Sequence, residues 1–173
     1  MAIVFFVTLS FRLFDISFYI FIVAVISDFF DGYLARRNKE VTDFGRIADP
    51  FVDKIIICGG FIMFVLFAQD ILAPWMVILI VSREFMINSL RGFAESKGVI
   101  FPSDVWGKVK MFLQSATVCG LLLYFAFLHD VAAFKIAVIV FIWITIVITV
   151  VSAVLYLIKA KKVLIASLSI DNS

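Results

Sequence analysis

Cysteine, histidine and proline are all scarce in this chain, at two, one and three residues among 173. Cys58 and Cys119 each sit inside an apolar run, with no Cys-x-x-Cys or Cys/His spacing. That argues against a zinc site or a disulfide framework and makes both thiols small buried hydrophobes. The lone His129 lies in an expected loop and has no second imidazole with which to build a metal site. Charge of one sign is lacking too: 15 Lys and Arg stand against 13 Asp and Glu, and a net +2 is too small an excess for a nucleic-acid binder. The short alternating segments of a membrane β-barrel are missing. So are the charged leader and small-residue cleavage site of a signal peptide.

Hydrocarbon is what the chain does have. It is 64% hydrophobic with 21 Phe, and its mean hydropathy is +1.16, which marks an integral membrane protein. With so few helix breakers, apolar runs of about 20 residues recur, the length that crosses a bilayer as a helix. We expect helical crossings at Ile16 to Arg36, Arg46 to Ala68, Pro74 to Ser96, Val105 to Leu128 and Phe134 to Leu157. The opening stretch MAIVFFVTLSF is only about half a span and reads as the tail of an abbreviated first helix. The expected fold is therefore an all-α, six-helix membrane bundle. No repeat, linker or low-complexity tract divides it, so residues 1–173 form one expected domain.

Lys and Arg cluster in ARRNKE, AESKG, GKVK and KAKKV, and those ends should face the cytoplasm. The opposite ends, with Asp70, His129 and Asp130, are poor in basic residues. Against this background the stretch from Ser27 to Lys54 stands out, because it holds six carboxylates. Asp28 and Asp31 are three apart, Asp49 and Asp53 four apart, so each pair shares one face of a helix. Each charge in a membrane costs roughly 2.5–3.5 kcal/mol, and four would cost up to roughly 10 if nothing compensated them. An oxygen-only donor set suits hard divalent cations, Mg²⁺ or Mn²⁺, and four carboxylates suit two of them, an arrangement fitted to phosphoryl transfer. Gly32, Ala35 and Gly45 would leave the helix surface bare beside the acids, for ligand approach or for plain helix packing. Asp49-Pro50 reads as an N-cap and first helical position. The competing account is a solvated loop with capping aspartates. It explains Glu40 and Asp43 but not Asp53, which runs straight into KIIICGGFIMFVLFA.

These residues resemble the signature of the CDP-alcohol phosphotransferase (phosphatidyltransferase) family. That signature runs Asp, two residues, Asp-Gly, two residues, Ala-Arg, eight residues, Gly, three residues, Asp, three residues, Asp, matched here by Asp28, Asp31, Gly32, Ala35, Arg36, Gly45, Asp49 and Asp53. The resemblance implies that the four aspartates hold two divalent ions and that Asp53 doubles as the general base. It also implies that Asp31, Gly32, Arg36, Thr42 and Gly45 line the CDP moiety. A looser likeness, in SREFMINSLRGFAESKG and WGKVKMFLQ, is to the branch of the family that uses glycerol 3-phosphate. It assigns Arg83, Arg91, Lys108 and Lys110 to the acceptor phosphate, with a Glu84–Arg91 ion pair as the competing reading.

The implied activity is metal-dependent transfer of a phosphatidyl group from CDP-diacylglycerol to glycerol 3-phosphate, at a cavity open to the cytoplasmic leaflet of the cell (inner) membrane. The family also implies a homodimer. The alternatives are the same chemistry on inositol phosphate, another alcohol or phosphatidylglycerol, a cation transporter, or a non-catalytic relative. The family's usual amphipathic segment before the first helix has no counterpart in this sequence. Weaker nucleotide binding is expected from that difference.

Overall fold

The computed structural model describes residues 1–38, 43–96 and 105–170, with side chains for 1–27, 54–94 and 107–161. All six regular elements are α-helices: α1 Ala2–Ser10, α2 Phe14–Asn38, α3 Asp43–Phe64, α4 Pro74–Ser96, α5 Val105–Phe127 and α6 Ala132–Ile170. α1 has nine residues. It folds back onto α2 through a tight turn in which Arg12 takes a left-handed conformation, φ 57°. The Arg12 and Leu13 amides return to the Leu9 and Thr8 carbonyls, satisfying acceptors that a helix end leaves open. Ser17 then donates to Thr8 at 2.9 Å and pins the two helices together.

α1 packs on α2 and α3, α5 on α2, α3 and α6, and α4 on α3 and α6. The core between them is built from Phe5, Leu9, Phe21, Phe61, Phe64 and Leu122, all essentially out of solvent. Phe14 ties α2 to α5 and to the turn after α3, since its ring stacks on Phe125 at 5.1 Å and meets Phe67 edge-on at 5.5 Å. Cys58 and Cys119 are free and half-buried. His129 stacks on Tyr124.

Three expectations need correction. α3 begins at Asp43 and runs through Asp49 and Pro50, so Asp49 is not an N-cap. A proline there removes one bond, to the Arg46 carbonyl, and the helix continues on the bonds of the neighbouring residues. α6 continues past Leu157 to Ile170, because the Lys, Ala and Leu residues that follow still favour helix. Third, among the described residues only Gly107–Phe127 and Ala132–Lys161 are long and apolar enough to cross a membrane. The described apolar parts of α2 and α3, Phe14–Ser27 and Lys54–Phe64, are shorter. α4 has the length but carries Arg83, Glu84 and Arg91 along its middle and second half.

α5 and α6 reverse the distribution of a soluble bundle. Gln114, Thr117, Thr145, Thr149 and Ser152 are buried, while Phe112, Val140, Trp143, Val147 and Val154 are exposed. A polar seam thus lies inside an apolar coat.

Candidate functional site

Asp28, Asp31, Gly32 and Arg36 belong to the second half of α2, and Gly45, Asp49 and Asp53 to the first half of α3. Their side chains lie outside the described set, and Thr42 lies outside the described residues altogether. Among the described residues no three His, Cys, Asp or Glu side chains come together. The aspartate signature occupies the adjoining ends of two consecutive helices, separated by residues 39–42. Its donors are carboxylate oxygens alone, a set that fits a hard divalent cation.

Described side chains take over at Lys54, directly after Asp53, and lead away from it as a connected polar cluster. Lys54 donates to Asn88 of α4. One turn earlier on α4, Glu84 is buried and accepts from Lys110 of α5. It also accepts from Arg83 Nη1 at 3.3 Å. Arg83 Nη2 reaches across to α6 and donates to Ser152 Oγ at 3.1 Å, and Ser152 in turn donates to the Thr149 carbonyl at 3.0 Å. Arg83, Glu84, Lys110 and Ser152 are all buried. Four elements therefore converge on one carboxylate and two fully buried cations, with Lys54 beside them.

That balance is positive. Burying a cation is costly unless a partner compensates it, yet Glu84 is the only carboxylate joined to Arg83 and Lys110 among the described residues. Open donors remain as well. Arg83 Nε and Arg91 Nε are buried without a hydrogen-bond partner among the described residues, as are Gln114 Nε2 and Thr149 Oγ1. Among the described residues the cluster has more donors and cations than partners, a balance that suits an oxyanion.

Of the four cations expected to meet the acceptor phosphate, the structure joins Arg83 and Lys110 through Glu84. Lys108 is exposed, two positions from Lys110 and so on another face of α5. The expected alternative for Glu84, a pair with Arg91, is replaced by Arg83 and Lys110. Seven residues of helix separate Glu84 and Arg91 by about 10 Å of rise, whereas Arg83 is adjacent and Lys110 comes from a facing helix. Ser152, Asn88 and Gln114 were not anticipated. A signal for two of them was present: Lys110, Gln114 and Thr117 on α5, and Thr145, Thr149 and Ser152 on α6, repeat at four and three residues. That spacing is one helix face.

The model of the CDP-alcohol phosphatidyltransferase family matches residues 1–151. The chain belongs to that family. Among its relatives is the CDP-diacylglycerol–glycerol-3-phosphate 3-phosphatidyltransferase of Bacillus subtilis, 39% identical over 105 residues, covering 61% of this chain and 53% of that protein. The protein of the same name in Mycoplasma pneumoniae is 38% identical over 108 residues, 62% of this chain and 47% of its own length. That of Haemophilus influenzae is 32% identical over 144 residues, 82% of this chain and 75% of that protein. The chain thus spans about half the length of the first two relatives. The family segment ends one residue before Ser152.

Proposed function

We propose that this family member is a membrane-embedded enzyme that transfers the phosphatidyl group of CDP-diacylglycerol to glycerol 3-phosphate, releasing CMP and forming phosphatidylglycerophosphate. The names of its relatives supply the reaction. The observation that carries it for this chain is the buried, cation-rich cluster of Arg83 and Lys110 with open guanidinium donors, connected through α4 to Lys54, next in sequence to Asp53. A transferase using a neutral alcohol has no need of it. An acceptor that is itself a phosphate does.

In this proposal Asp28, Asp31, Asp49 and Asp53 would hold two divalent ions, Mg²⁺ or Mn²⁺, which when bound would neutralise the pyrophosphate and the departing CMP. Asp31, Gly32, Arg36, Thr42 and Gly45 line the CDP group. Asp53 takes the proton from the primary hydroxyl of glycerol 3-phosphate. That oxygen attacks the β-phosphorus, the bond from this phosphorus to the bridging oxygen breaks, and CMP leaves. Arg83, Arg91 and Lys110 hold the acceptor phosphate, bringing two anions together that otherwise repel. Lys108, exposed nearby, attracts them.

The apolar coat and polar seam of α5 and α6 support a membrane setting. In this setting the six helices form one domain over residues 1–173, its acidic end facing the cytoplasm at the cell (inner) membrane, and two copies associate as a homodimer. Purified protein supplied with CDP-diacylglycerol, a divalent ion and each acceptor in turn tests the assignment by CMP release. Turnover with glycerol 3-phosphate is expected. Turnover only with inositol phosphate, or only with phosphatidylglycerol, would reject it.

A further inference from the structure

We propose that Ser152 of α6 is a positioning residue for the acceptor phosphate, acting through Arg83. The inference rests on the reading of Arg83 as a phosphate ligand, and it gives α6 a part in substrate recognition that the apolar sequence of this helix does not suggest.

Arginine has several rotatable bonds, and a guanidinium serves as a phosphate fork only when its plane is fixed. Arg83 is fixed from two sides. Nη1 donates to Glu84 on its own helix, and Nη2 donates to Ser152 on α6. The hydroxyl proton of Ser152 is already committed to the Thr149 carbonyl, so its lone pairs face the guanidinium and it acts there as an acceptor. Nη1 and Nη2 each keep a second N–H, and Nε is wholly unspent, buried and without a partner among the described residues. It is available to an incoming oxyanion.

The placement of Ser152 is itself locked. Thr145, seven residues earlier and on the same face of α6, shares a 2.8 Å hydrogen bond with Thr117 of α5, and Thr117 also donates to the Leu113 carbonyl at 2.7 Å. This bond fixes the rotation of α6 against α5 two turns from Ser152. One turn along α5 from Thr117 toward its start is Gln114, and one further turn is Lys110, the other cation bound to Glu84. The α5–α6 register thus brings Lys110 and Ser152 to the same carboxylate-linked cluster, from opposite sides of Arg83.

The test compares Ser152→Ala with Ser152→Thr in the full-length protein. Loss of one charge-assisted hydrogen bond is expected to raise KM for glycerol 3-phosphate about tenfold. In the same variant kcat at saturating acceptor and KM for CDP-diacylglycerol should stay within about twofold. Threonine keeps a hydroxyl that can reach the same carbonyl, so Ser152→Thr should restore the acceptor KM. In an Arg83→Lys background the alanine change should add nothing. An unchanged acceptor KM in Ser152→Ala overturns the proposal. So does a fall in kcat with both KM values raised alike and a lowered unfolding temperature, which is the mark of a merely structural contact.

A second readout needs no turnover. Inorganic phosphate should raise the unfolding temperature of the wild type and do so less in Ser152→Ala. If the wild type releases no CMP with glycerol 3-phosphate yet shows this difference, the enzyme assignment fails while the role of Ser152 stands. If phosphate moves neither protein, or moves both equally, the role of Ser152 fails.

Discussion

Glu84 of α4 accepts a hydrogen bond from Lys110 of α5, with both side chains buried. Glu84 is the hub of its cluster and Lys110 is one of two spokes, because Arg83 binds the same oxygen. The two ends of the pair should therefore respond unequally to mutation. Glu84→Gln leaves two buried cations uncompensated and should cost about 3 kcal/mol or more of stability. Lys110→Met leaves Glu84 still paired with Arg83 and should cost less. Unfolding in detergent micelles measures both, and a larger loss for Lys110→Met would contradict the hub arrangement.

In the proposed reaction the aspartates and the cluster serve different substrates, and kinetics should separate them. Asp53→Asn should lower kcat/KM roughly 10²–10⁴-fold, the usual range for loss of a general base. Arg83→Ala should mainly raise KM for the acceptor, with KM for CDP-diacylglycerol little changed. Treatment with a chelator should abolish CMP release, and Mg²⁺ or Mn²⁺ should restore it. Steady-state assays with each substrate varied in turn read all three effects.

Two glycines that look alike in sequence should behave oppositely. A Cβ at Gly60 would meet Val118 Cγ1 at 3.3 Å and Phe5 at 3.8 Å, and Val118 and Phe5 are both buried. Gly60→Val overfills that contact and should cost about 1–3 kcal/mol. At Gly120, inside α5, a Cβ would meet only Val138 Cγ2, at 3.7 Å. Gly120→Ala should therefore gain roughly 0.5–1 kcal/mol from helix propensity. Thermal unfolding of the two variants in the same detergent checks the difference in sign.

The helices were legible because their signal is long and local. Pro74, at the first position of α4, and Val105, at the start of α5, were both identified from sequence. Where a short motif competed with its surroundings it misled: Asp49-Pro50 looks like a helix start, but α3 had already begun at Asp43. The aspartate signature was legible for the same reason as the helices, being fixed spacing within 26 residues. Arg83 and Lys110 were legible as charges in apolar runs. Their union through Glu84 was not, because α4 and α5 must be brought together before it exists. Ser152 was hidden for a different reason, since one hydroxyl in an apolar helix can always be satisfied by its own backbone.

Arg12 holds the turn between α1 and α2 in a conformation that suits glycine, with φ 57°, and its guanidinium lies 5.3 Å from the centre of the Phe67 ring. These two effects oppose each other on mutation. Arg12→Gly loses the ring contact but relieves the backbone, whereas Arg12→Ala loses the contact and keeps the strain. Alanine should therefore be the less stable of the two by about 1 kcal/mol. Equal unfolding temperatures would mean that the left-handed turn is not present in the folded protein.

Asp70, in the loop between α3 and α4, accepts a hydrogen bond from Lys135 near the start of α6 at 2.6 Å. That bond outweighs partial burial and holds the Asp70 carboxyl below its usual range. A depressed carboxyl stabilises the fold only while it is ionised. The contribution is thus complete above the ordinary aspartate value of about 3.9 and is lost as pH falls through the lower, folded value. Both side chains are more than a third exposed, so solvent screening keeps the contribution of the pair small. Asp70→Asn should consequently unfold at a slightly lower temperature than the wild type at neutral pH, by a margin that shrinks with added salt. The two melting curves should converge in acid. A difference that grew on acidification would assign the opposite sign to the pair.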